Sequence, residues 1–274
     1  MRGATQAAAV TLGTNVLLDP AVHPVIAHRG ASAFAPENTL VGFERATAFG
    51  AEAFELDVHV TADGQPVVIH DPTLDRTTDR RGAVALMTYE AIRQADAGAR
   101  FTIDRGATYP FQGHGVRVPL LADVLGMFPD TPVIVEMKTV AAAPAVKRVV
   151  ADAGAVARCI LASFDERALA PFDAPPWIRS ASRAETLSLL SRALVGRAPR
   201  PPRYRALTIP TRFNGIPIPM RMLAGAARRV GCPTHVWVID SPDAARSLWE
   251  DGVAGVITNR PGAILAAREA GGSD

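Results

Sequence analysis

The chain has 274 residues, of which 48% are hydrophobic and 20% are charged, and its formal net charge is +2. This composition is typical of a globular protein with a large core, and it favours neither nucleic acid nor a strongly anionic surface as a partner. The two cysteines, Cys159 and Cys232, exclude a disulfide framework and match no metal-ligand spacing, so we expect both to be inert core residues.

The N-terminal stretch is interpreted as a variable leader covering residues 1–23. Its alanine-rich run is too short and too weakly apolar to resemble a secretory signal. No run of about 18 apolar residues is present to span a membrane. We therefore expect a cytoplasmic protein without a transmembrane segment, whose oligomeric state the sequence leaves open.

The first elements follow the order strand, helix, strand. Residues 23–27 predict a short buried strand that leads into His28-Arg29-Gly30. Asn38 or Thr39 is a suitable cap for the helix that follows. A second strand is predicted over residues 53–57, and this βαβ beginning favours a parallel sheet.

The second strand carries two acids and is followed by a hairpin signal. Glu55 and Asp57 stand two residues apart, so both side chains project from one face of the strand. Asp63-Gly64 predicts a tight turn at residues 62–65, after which the chain returns to His70, roughly opposite Asp57. The alternative is a surface hairpin with solvated acids and an unrelated histidine.

The remaining chain alternates between strands and helices. Further strands are predicted at residues 133–137, 159–163, 177–181, 206–209, 235–239 and 255–258, each followed by a helix. Residues 58–118 form one excursion after the second strand, because a hairpin turn is too short to join parallel neighbours. Eight strands with eight helices predict an α/β fold, a single (β/α)8 (TIM) barrel over residues 24–274. The alternative, a doubly wound open sheet, lacks a Gly-x-Gly-x-x-Gly sequence after the first strand.

Polar residues cluster where the first three barrel strands end. Glu136 ends the third strand, so it is expected to meet Glu55 and Asp57 at the barrel mouth. Three converging carboxylates repel one another unless a cation lies between them, and Mg²⁺ or Ca²⁺ prefers such oxygen ligands. We therefore predict that the three acids bind one divalent cation. His59 is a weaker candidate, either as a further ligand or as part of the pocket wall.

The same mouth has the residues of an anion site with acid–base chemistry. Arg29 and Lys138 are suited to phosphate oxygens, although Lys138 is alternatively a structural partner of Glu136. His28 and His70 form the pair expected for general acid and base catalysis near neutral pH. The other three histidines, His23, His114 and His235, are interpreted as structural.

These residues belong to motifs that resemble a known family. The motifs are His28-Arg29-Gly30 with Pro36-Glu37-Asn38-Thr39, Glu55-Leu56-Asp57-Val58 with Thr61-x-Asp63-Gly64, Val67-Val68-Ile69-His70-Asp71 with Leu74-x-Arg76-Thr77-Thr78, and Glu136-x-Lys138. Together they resemble the signature of the glycerophosphodiester phosphodiesterase family. The resemblance continues through Ser163-Phe164, Val236-Trp237 and Gly255 to Pro261, and covers residues 24 to about 265.

The resemblance implies a (β/α)8 barrel with an insertion after the second strand. It also implies hydrolysis of glycerophosphodiesters to sn-glycerol 3-phosphate and an alcohol, with Mg²⁺ or Ca²⁺. By matching motif, His28 and His70 would be base and acid, and Glu37 would orient His28 or Arg29. Two departures from the family pattern, Val238 with Asp240 and then Asn259, put substrate choice or packing around the site in question rather than the reaction.

Two rival functions remain at the level of sequence. A phospholipase D acting on lysolipid head groups would need an apolar mouth, for which Phe111, the loop at residues 210–217 with Phe213, and Trp237 are candidates. A non-catalytic phosphate-binding barrel is the other, although no motif acid or histidine is missing.

In the expected reaction a glycerol hydroxyl attacks phosphorus to give a cyclic phosphate, with direct attack by water as the variant.

Overall fold

The structure, a computed structural model, describes residues 15–271. Within this range the strands are β1 (Val25–His28), β2 (Ala53–Val60), β3 (Pro66–Val68), β4 (Val133–Met137), β5 (Cys159–Ala162), β6 (Leu207–Pro210), β7 (Arg212–Phe213), β8 (Ile216–Pro217), β9 (Thr234–Trp237) and β10 (Gly255–Thr258). The α-helices are α1 (Leu40–Ala48), α2 (Tyr89–Ile92), α3 (Leu121–Met127), α4 (Ala142–Asp152), α5 (Glu166–Leu169), α6 (Arg183–Leu194), α7 (Met220–Arg228), α8 (Pro242–Glu250) and α9 (Pro261–Gly271). Thr39 caps α1, as expected, with its hydroxyl accepting the Gly42 N–H.

The parallel strands form a barrel in the order β5-β4-β2-β1-β10-β9-β6. The eighth position, between β5 and β6, is filled by two isolated bridges, Leu161 to Arg179 and Ser180 to Ala206. The predicted (β/α)8 barrel is therefore confirmed, although the strand predicted at residues 177–181 is reduced to two bridging residues.

The β2–β3 hairpin differs from the prediction by one residue. Val60 pairs with Pro66, and the Ile69 N–H donates to the Asp57 carbonyl (3.0 Å). The Thr61 N–H donates to the Gln65 carbonyl at 3.0 Å, so the turn comprises residues 62–64 and is one residue shorter than predicted. Ile69 lies opposite Asp57, and His70 comes one residue later than expected.

The excursion after β2 has a small core of its own. Val67, Ile69, Leu74 and Ile92 are among its buried residues, and Val41 of α1 packs against them. Its one short α-helix, α2, begins after Thr88, whose hydroxyl caps it by accepting the Ala91 N–H. This packing places the insertion over the end of β2.

The end of the barrel opposite the mouth is closed by part of the predicted leader. Val16–Leu18 form a 3₁₀ helix, and Leu17 is fully buried beside Ile26 and Ile257. His235 donates from Nε2 to the Leu17 carbonyl at 2.9 Å, in agreement with a structural role. Residues 1–14 of the leader lie outside the described residues.

A second hairpin occupies the segment expected to be a loop at residues 210–217. β7 pairs with β8 through a turn at Asn214-Gly215, where both residues have positive φ angles (46° and 79°). Such a turn matches the right-handed twist of the two strands. Among residues 15–271, no helix is both long and apolar enough to cross a bilayer.

Candidate active site

The predicted site residues meet at the carboxyl ends of β1, β2 and β4. His28 ends β1, and Arg29 and Gly30 then turn the chain sharply with φ angles of 57° and 83°. A Cβ on Gly30 would lie 2.5 Å from the backbone carbon of Gly42, so this turn requires glycine. The turn brings the Arg29 N–H to the Glu55 carbonyl at 2.8 Å, which joins the ends of β1 and β2.

Three carboxylates form the centre of the mouth. Glu55, Asp57 and Glu136 each offer an oxygen atom, and these atoms lie within 4.8 Å of one another. Glu55 Oε2 is buried without a hydrogen-bond partner. Burial, followed by repulsion from Asp57 and Glu136, raises the pKa of Glu55 well above its usual value. An oxygen-rich cluster with one uncompensated carboxylate fits a hard divalent cation.

Two cations and an amide hold Asp57. Lys138 Nζ lies 2.8 Å from Asp57 Oδ1 and 2.7 Å from Glu136 Oε1, and Arg29 Nε lies 3.0 Å from Asp57 Oδ2. Asn38 donates to the same Oδ2 at 2.9 Å. Burial opposes ionisation of Asp57, but Arg29 and then Lys138 outweigh it and hold the pKa below its usual value. Lys138 contacts Glu136, as expected if it is a structural partner of that acid. It also borders the acidic cluster, as expected if it binds phosphate.

His28 is held by an amide. Its Nδ1 lies 2.7 Å from Asn259 Oδ1, and its Nε2 lies 3.8 Å from Glu55 Oε2. Asn259 Nδ2 donates to Asp240 Oδ2 at 2.7 Å, which fixes the amide so that its oxygen faces His28. Nδ1 therefore carries the proton and Nε2 is free to accept one. Burial, followed by the charge of Arg29, lowers the pKa of His28 and favours this neutral form.

Asp240 and Asn259 form a unit that positions His28. Asp240 also accepts the Thr258 hydroxyl at 2.9 Å and the Asn259 N–H at 2.8 Å, while Ser32 donates to Asn259 Oδ1 at 2.6 Å. In the sequence these two residues stand out only as departures from the family pattern. The signal available was that both departures are polar residues just after barrel strands.

His70 is held by a carboxylate. Its Nδ1 lies 2.7 Å from Asp71 Oδ1, and Arg76 Nε donates to Asp71 Oδ2 at 2.7 Å. Arg76 also donates to both Glu37 carboxylate oxygens (2.7 and 2.8 Å), and Glu37 accepts from Arg29 NH1 at 3.0 Å. This chain of contacts ties the insertion to the loop after β1. The contact of Glu37 is with Arg29 rather than with His28.

Some predicted residues lie elsewhere. His59 is buried outside the acidic cluster and donates from Nε2 to the His70 carbonyl at 3.1 Å, so it supports the backbone of the second histidine. Trp237 and Phe213 line a cavity that opens from the cluster. Phe111 instead packs edge-on against Phe101 in the insertion and is absent from the described lining of that cavity.

A parallel barrel whose mouth combines an acidic cation-type cluster, basic groups and two oriented histidines has the layout of a metal-assisted phosphoester hydrolase. The model of the glycerophosphoryl diester phosphodiesterase family matches residues 28–263. The chain is 32% identical over 256 residues to a glycerophosphodiester phosphodiesterase from Caldanaerobacter subterraneus subsp. tengcongensis, covering 90% of this chain and 98% of the relative. The chain therefore belongs to this family.

Solved structures show the same fold. A glycerophosphodiester phosphodiesterase from Agrobacterium tumefaciens superposes with a TM-score of 0.70 at 30% identity, covering 89% of this chain and all (100%) of that one. A phosphodiesterase from Oleispira antarctica, solved in complex with the product sn-glycerol-3-phosphate, has a TM-score of 0.72 at 23% identity, covering 90% and 97% of the two chains. At that lower identity the likeness is one of fold.

Proposed function

We propose that this protein hydrolyses glycerophosphodiesters to sn-glycerol 3-phosphate and an alcohol. The observation that carries the proposal is the pair of histidines, each held by its own Nδ1 partner, on either side of an acidic cluster with an unpaired carboxylate. Membership of the family supports the same activity. Glycerophosphodiesters are small molecules, in agreement with a chain that shows no strong charge bias.

Glu55, Asp57 and Glu136 would hold one divalent cation, either Mg²⁺ or Ca²⁺. When bound, such an ion would neutralise phosphate charge and lower the pKa of a nearby hydroxyl. Arg29 and Lys138 border the same cluster and would bind phosphate oxygens. Glu37 keeps Arg29 in place through its 3.0 Å contact, and Trp237 would contact the substrate from the cavity wall.

His28 is the proposed base, and His70 the proposed acid. The free Nε2 of His28 points towards Glu55 and would accept a proton from the attacking glycerol hydroxyl. The Asp71 carboxylate is the kind of partner that supports an imidazolium, so His70 would give its proton to the leaving alcohol. Water would then open the resulting cyclic phosphate.

The experiment is an assay of glycerol 3-phosphate release from glycerophosphocholine with metal removal and add-back. We expect activity to vanish on exhaustive chelation and to return with Mg²⁺ or Ca²⁺. His28→Ala and His70→Ala should each lower kcat by about 10²–10⁴-fold, the usual range for general acid–base groups. His114→Ala, at an exposed position in the insertion, is the matched control.

Retention of normal turnover by either site variant would refute the assigned roles. No release of glycerol 3-phosphate under any metal condition would instead favour the non-catalytic barrel. A single turnover in ¹⁸O-water, with a search for the cyclic product, separates attack by the glycerol hydroxyl from direct attack by water. A cytoplasmic location stays a prediction.

A further inference from the structure

Two hydroxyl groups form a pair in the barrel wall, beside the acidic cluster. Ser180 is one of the bridging residues at the eighth strand position, and Thr208 belongs to β6. Both line the cavity that also contains Glu55 and Glu136. Ser180 Oγ lies 2.7 Å from Thr208 Oγ1, which is a hydrogen-bonding distance. Ser180 is only 1% exposed, so the pair belongs to the interior of the barrel and not to its surface.

The strand geometry directs both hydroxyls inward. Ile178 and Ala206, which precede Ser180 and Thr208 by two residues, belong to the core inside the barrel together with Ile257. Side chains two residues apart on a strand lie on the same face. Ser180 and Thr208 therefore also face the interior, one layer nearer the mouth.

The pair has a hydrogen-bond donor that the protein does not use. Two hydroxyls carry two hydrogen atoms, and the bond between them uses one. Among residues 15–271 neither hydroxyl has a second hydrogen-bond partner. Other hydroxyls of the cavity lining are already occupied, since Thr186 donates to the Ser182 carbonyl (3.0 Å) and Ser163 to the Met137 carbonyl (2.7 Å). A buried donor without an acceptor is suited to a ligand that brings one.

The strand order places the pair opposite the acidic cluster. Around the closed sheet, β6 is four positions from β2 in either direction. Because β2 carries Glu55, Thr208 lies on the opposite wall of the barrel. The interior of an eight-stranded barrel is wide enough for side chains or for one small ligand. A short carbon skeleton held at the cluster would therefore reach the hydroxyl pair.

The cavity lies on the glycerol side of the proposed substrate. In its lining, as far as residues 15–271 define it, no residue comes from the insertion at residues 58–118, which carries the proposed acid His70. The head group that receives a proton from His70 therefore leaves on the side of the insertion. The glycerol, whose attacking hydroxyl gives its proton to His28 beside Glu55, lies on the side of the cavity.

We propose that Ser180 and Thr208 bind the terminal hydroxyl of the substrate glycerol, on the carbon farthest from the phosphate, and so select diesters in which this hydroxyl is free. The proposal rests on the proposed function, in which the middle hydroxyl attacks phosphorus and the terminal one takes no part in the reaction. The neighbouring side chains Ile134, Ala162 and Ile257 offer this hydroxyl no hydrogen bond, whereas the pair offers both a donor and an acceptor.

The first test compares two substrates of the wild-type protein. Glycerophosphocholine has the terminal hydroxyl, and 2-hydroxypropyl phosphocholine lacks it but keeps the attacking hydroxyl. Leaving a buried polar group without its partner costs about 5- to 150-fold in an equilibrium, so kcat/KM for glycerophosphocholine should be higher by a factor in this range.

The second test removes the hydroxyls from the protein. The double variant S180A/T208V should lower kcat/KM for glycerophosphocholine and leave that for 2-hydroxypropyl phosphocholine nearly unchanged, so the preference should disappear. T186V is the matched control, because this threonine lines the same cavity but its hydroxyl already donates to the Ser182 carbonyl. T186V should keep the wild-type preference.

A binding measurement separates failure of the inference from failure of the proposed function. Isothermal titration calorimetry with sn-glycerol 3-phosphate and with 1,2-propanediol 1-phosphate, in the presence of Mg²⁺, requires no turnover. The wild type should bind glycerol 3-phosphate more tightly, by a factor in the same range. S180A/T208V should bind the two phosphates equally.

Equal kcat/KM of the wild type for the two diesters, or equal binding of the two phosphates, would overturn the inference alone. These wild-type comparisons remain decisive even if S180A/T208V does not fold. A loss of kcat/KM in this variant that is equal for both diesters would mean that the hydroxyls only support the barrel wall, and would also overturn the inference. Preferential binding of glycerol 3-phosphate without hydrolysis of any diester would overturn the proposed function and leave the hydroxyl site standing.

Discussion

The orientation of His28 by Asn259 leads to a sharp prediction. Asn259→Leu keeps roughly the same volume but removes the acceptor that lies 2.7 Å from His28 Nδ1 and 2.6 Å from Ser32 Oγ. Without that acceptor, the imidazole loses the contact that fixes both its tautomer and its orientation. A hydrogen bond to a group that becomes charged contributes about 1.5–3 kcal/mol. At about 1.4 kcal/mol per factor of ten, kcat should fall by about 10- to 100-fold.

The exchange of Asn259 and Asp240 tests the same reasoning by rescue. Asn259→Asp alone keeps an acceptor for His28 but faces the Asp240 carboxylate where the amide now donates at 2.7 Å. Like charges at that separation repel, so this variant should be impaired. The double variant D240N/N259D restores one donor and one acceptor between the two side chains. It should recover most of the lost kcat.

A shift in the pH profile distinguishes a positioning role from mere packing. His28 works as a base in its neutral form, and burial followed by the charge of Arg29 lowers its pKa. In D240N/N259D a carboxylate would replace the neutral amide oxygen and stabilise the imidazolium. The pKa of His28 would rise, and the acidic limb of kcat/KM would move to higher pH.

The assay is the release of glycerol 3-phosphate from glycerophosphocholine between pH 4 and 9, with thermal unfolding measured in parallel. If Asn259→Leu retained wild-type kcat, the assigned function of this amide would be wrong. A double variant that regained stability but not kcat would also contradict the argument, because Asp240 and Asn259 would then only hold the loops together.

The barrel could be predicted because each strand and helix carries its own local signal. Val133–Met137 and Gly255–Thr258 have the predicted bounds, since each is an apolar run between clear turn residues. The weakest position, at residues 177–181, depends on tertiary context: two bridges at Arg179 and Ser180 are enough to close the sheet there.

The register between strands and the short hairpins are harder to predict from the sequence. The register of β2 and β3 depends on whether the turn takes three residues or four, which no periodicity reveals. The Asn214-Gly215 turn, by contrast, is a hairpin signal that stands in the sequence itself, and the segment expected to be a loop forms β7 and β8.

The strand-borne acids of the candidate site could be located from sequence because the fold alone brings strand ends together. Their loop-borne partners could not. Asn259 is 231 residues from His28 along the chain, and Arg76 is 39 residues from Glu37, so only the folded barrel shows that they touch. The sequence supplied candidate reacting groups, and the structure adds the groups that orient them.

The remaining predictions concern the acidic cluster, the acid and the barrel floor. Glu55→Gln removes an unpaired buried charge, so the metal-free variant should melt no lower than the metal-free wild type. In differential scanning fluorimetry, Mg²⁺ or Ca²⁺ should not raise the Tm of this variant. A rise in Tm equal to that of the wild type would contradict the assignment of Glu55 as a ligand. His70→Ala should lose far less turnover on glycerol p-nitrophenyl phosphate, whose leaving group needs no proton, than on glycerophosphocholine. His28→Ala should lose turnover on both substrates equally, because both carry the attacking glycerol hydroxyl. Equal losses for His70→Ala would exclude it as the acid. Full burial lowers the pKa of His235 to about 4 from 6.5, and its Nδ1 has no partner to receive a proton. As the pH falls from 6.5 towards 4, the unfolded chain therefore binds a proton at His235 that the folded chain does not bind. The folded state loses stability that it has above pH 6.5, by about 3 kcal/mol at 1.36 kcal/mol per pKa unit. In urea unfolding, His235→Gln should remove this part of the pH dependence, because a glutamine amide does not titrate; an unchanged slope would mean that other groups dominate acid unfolding.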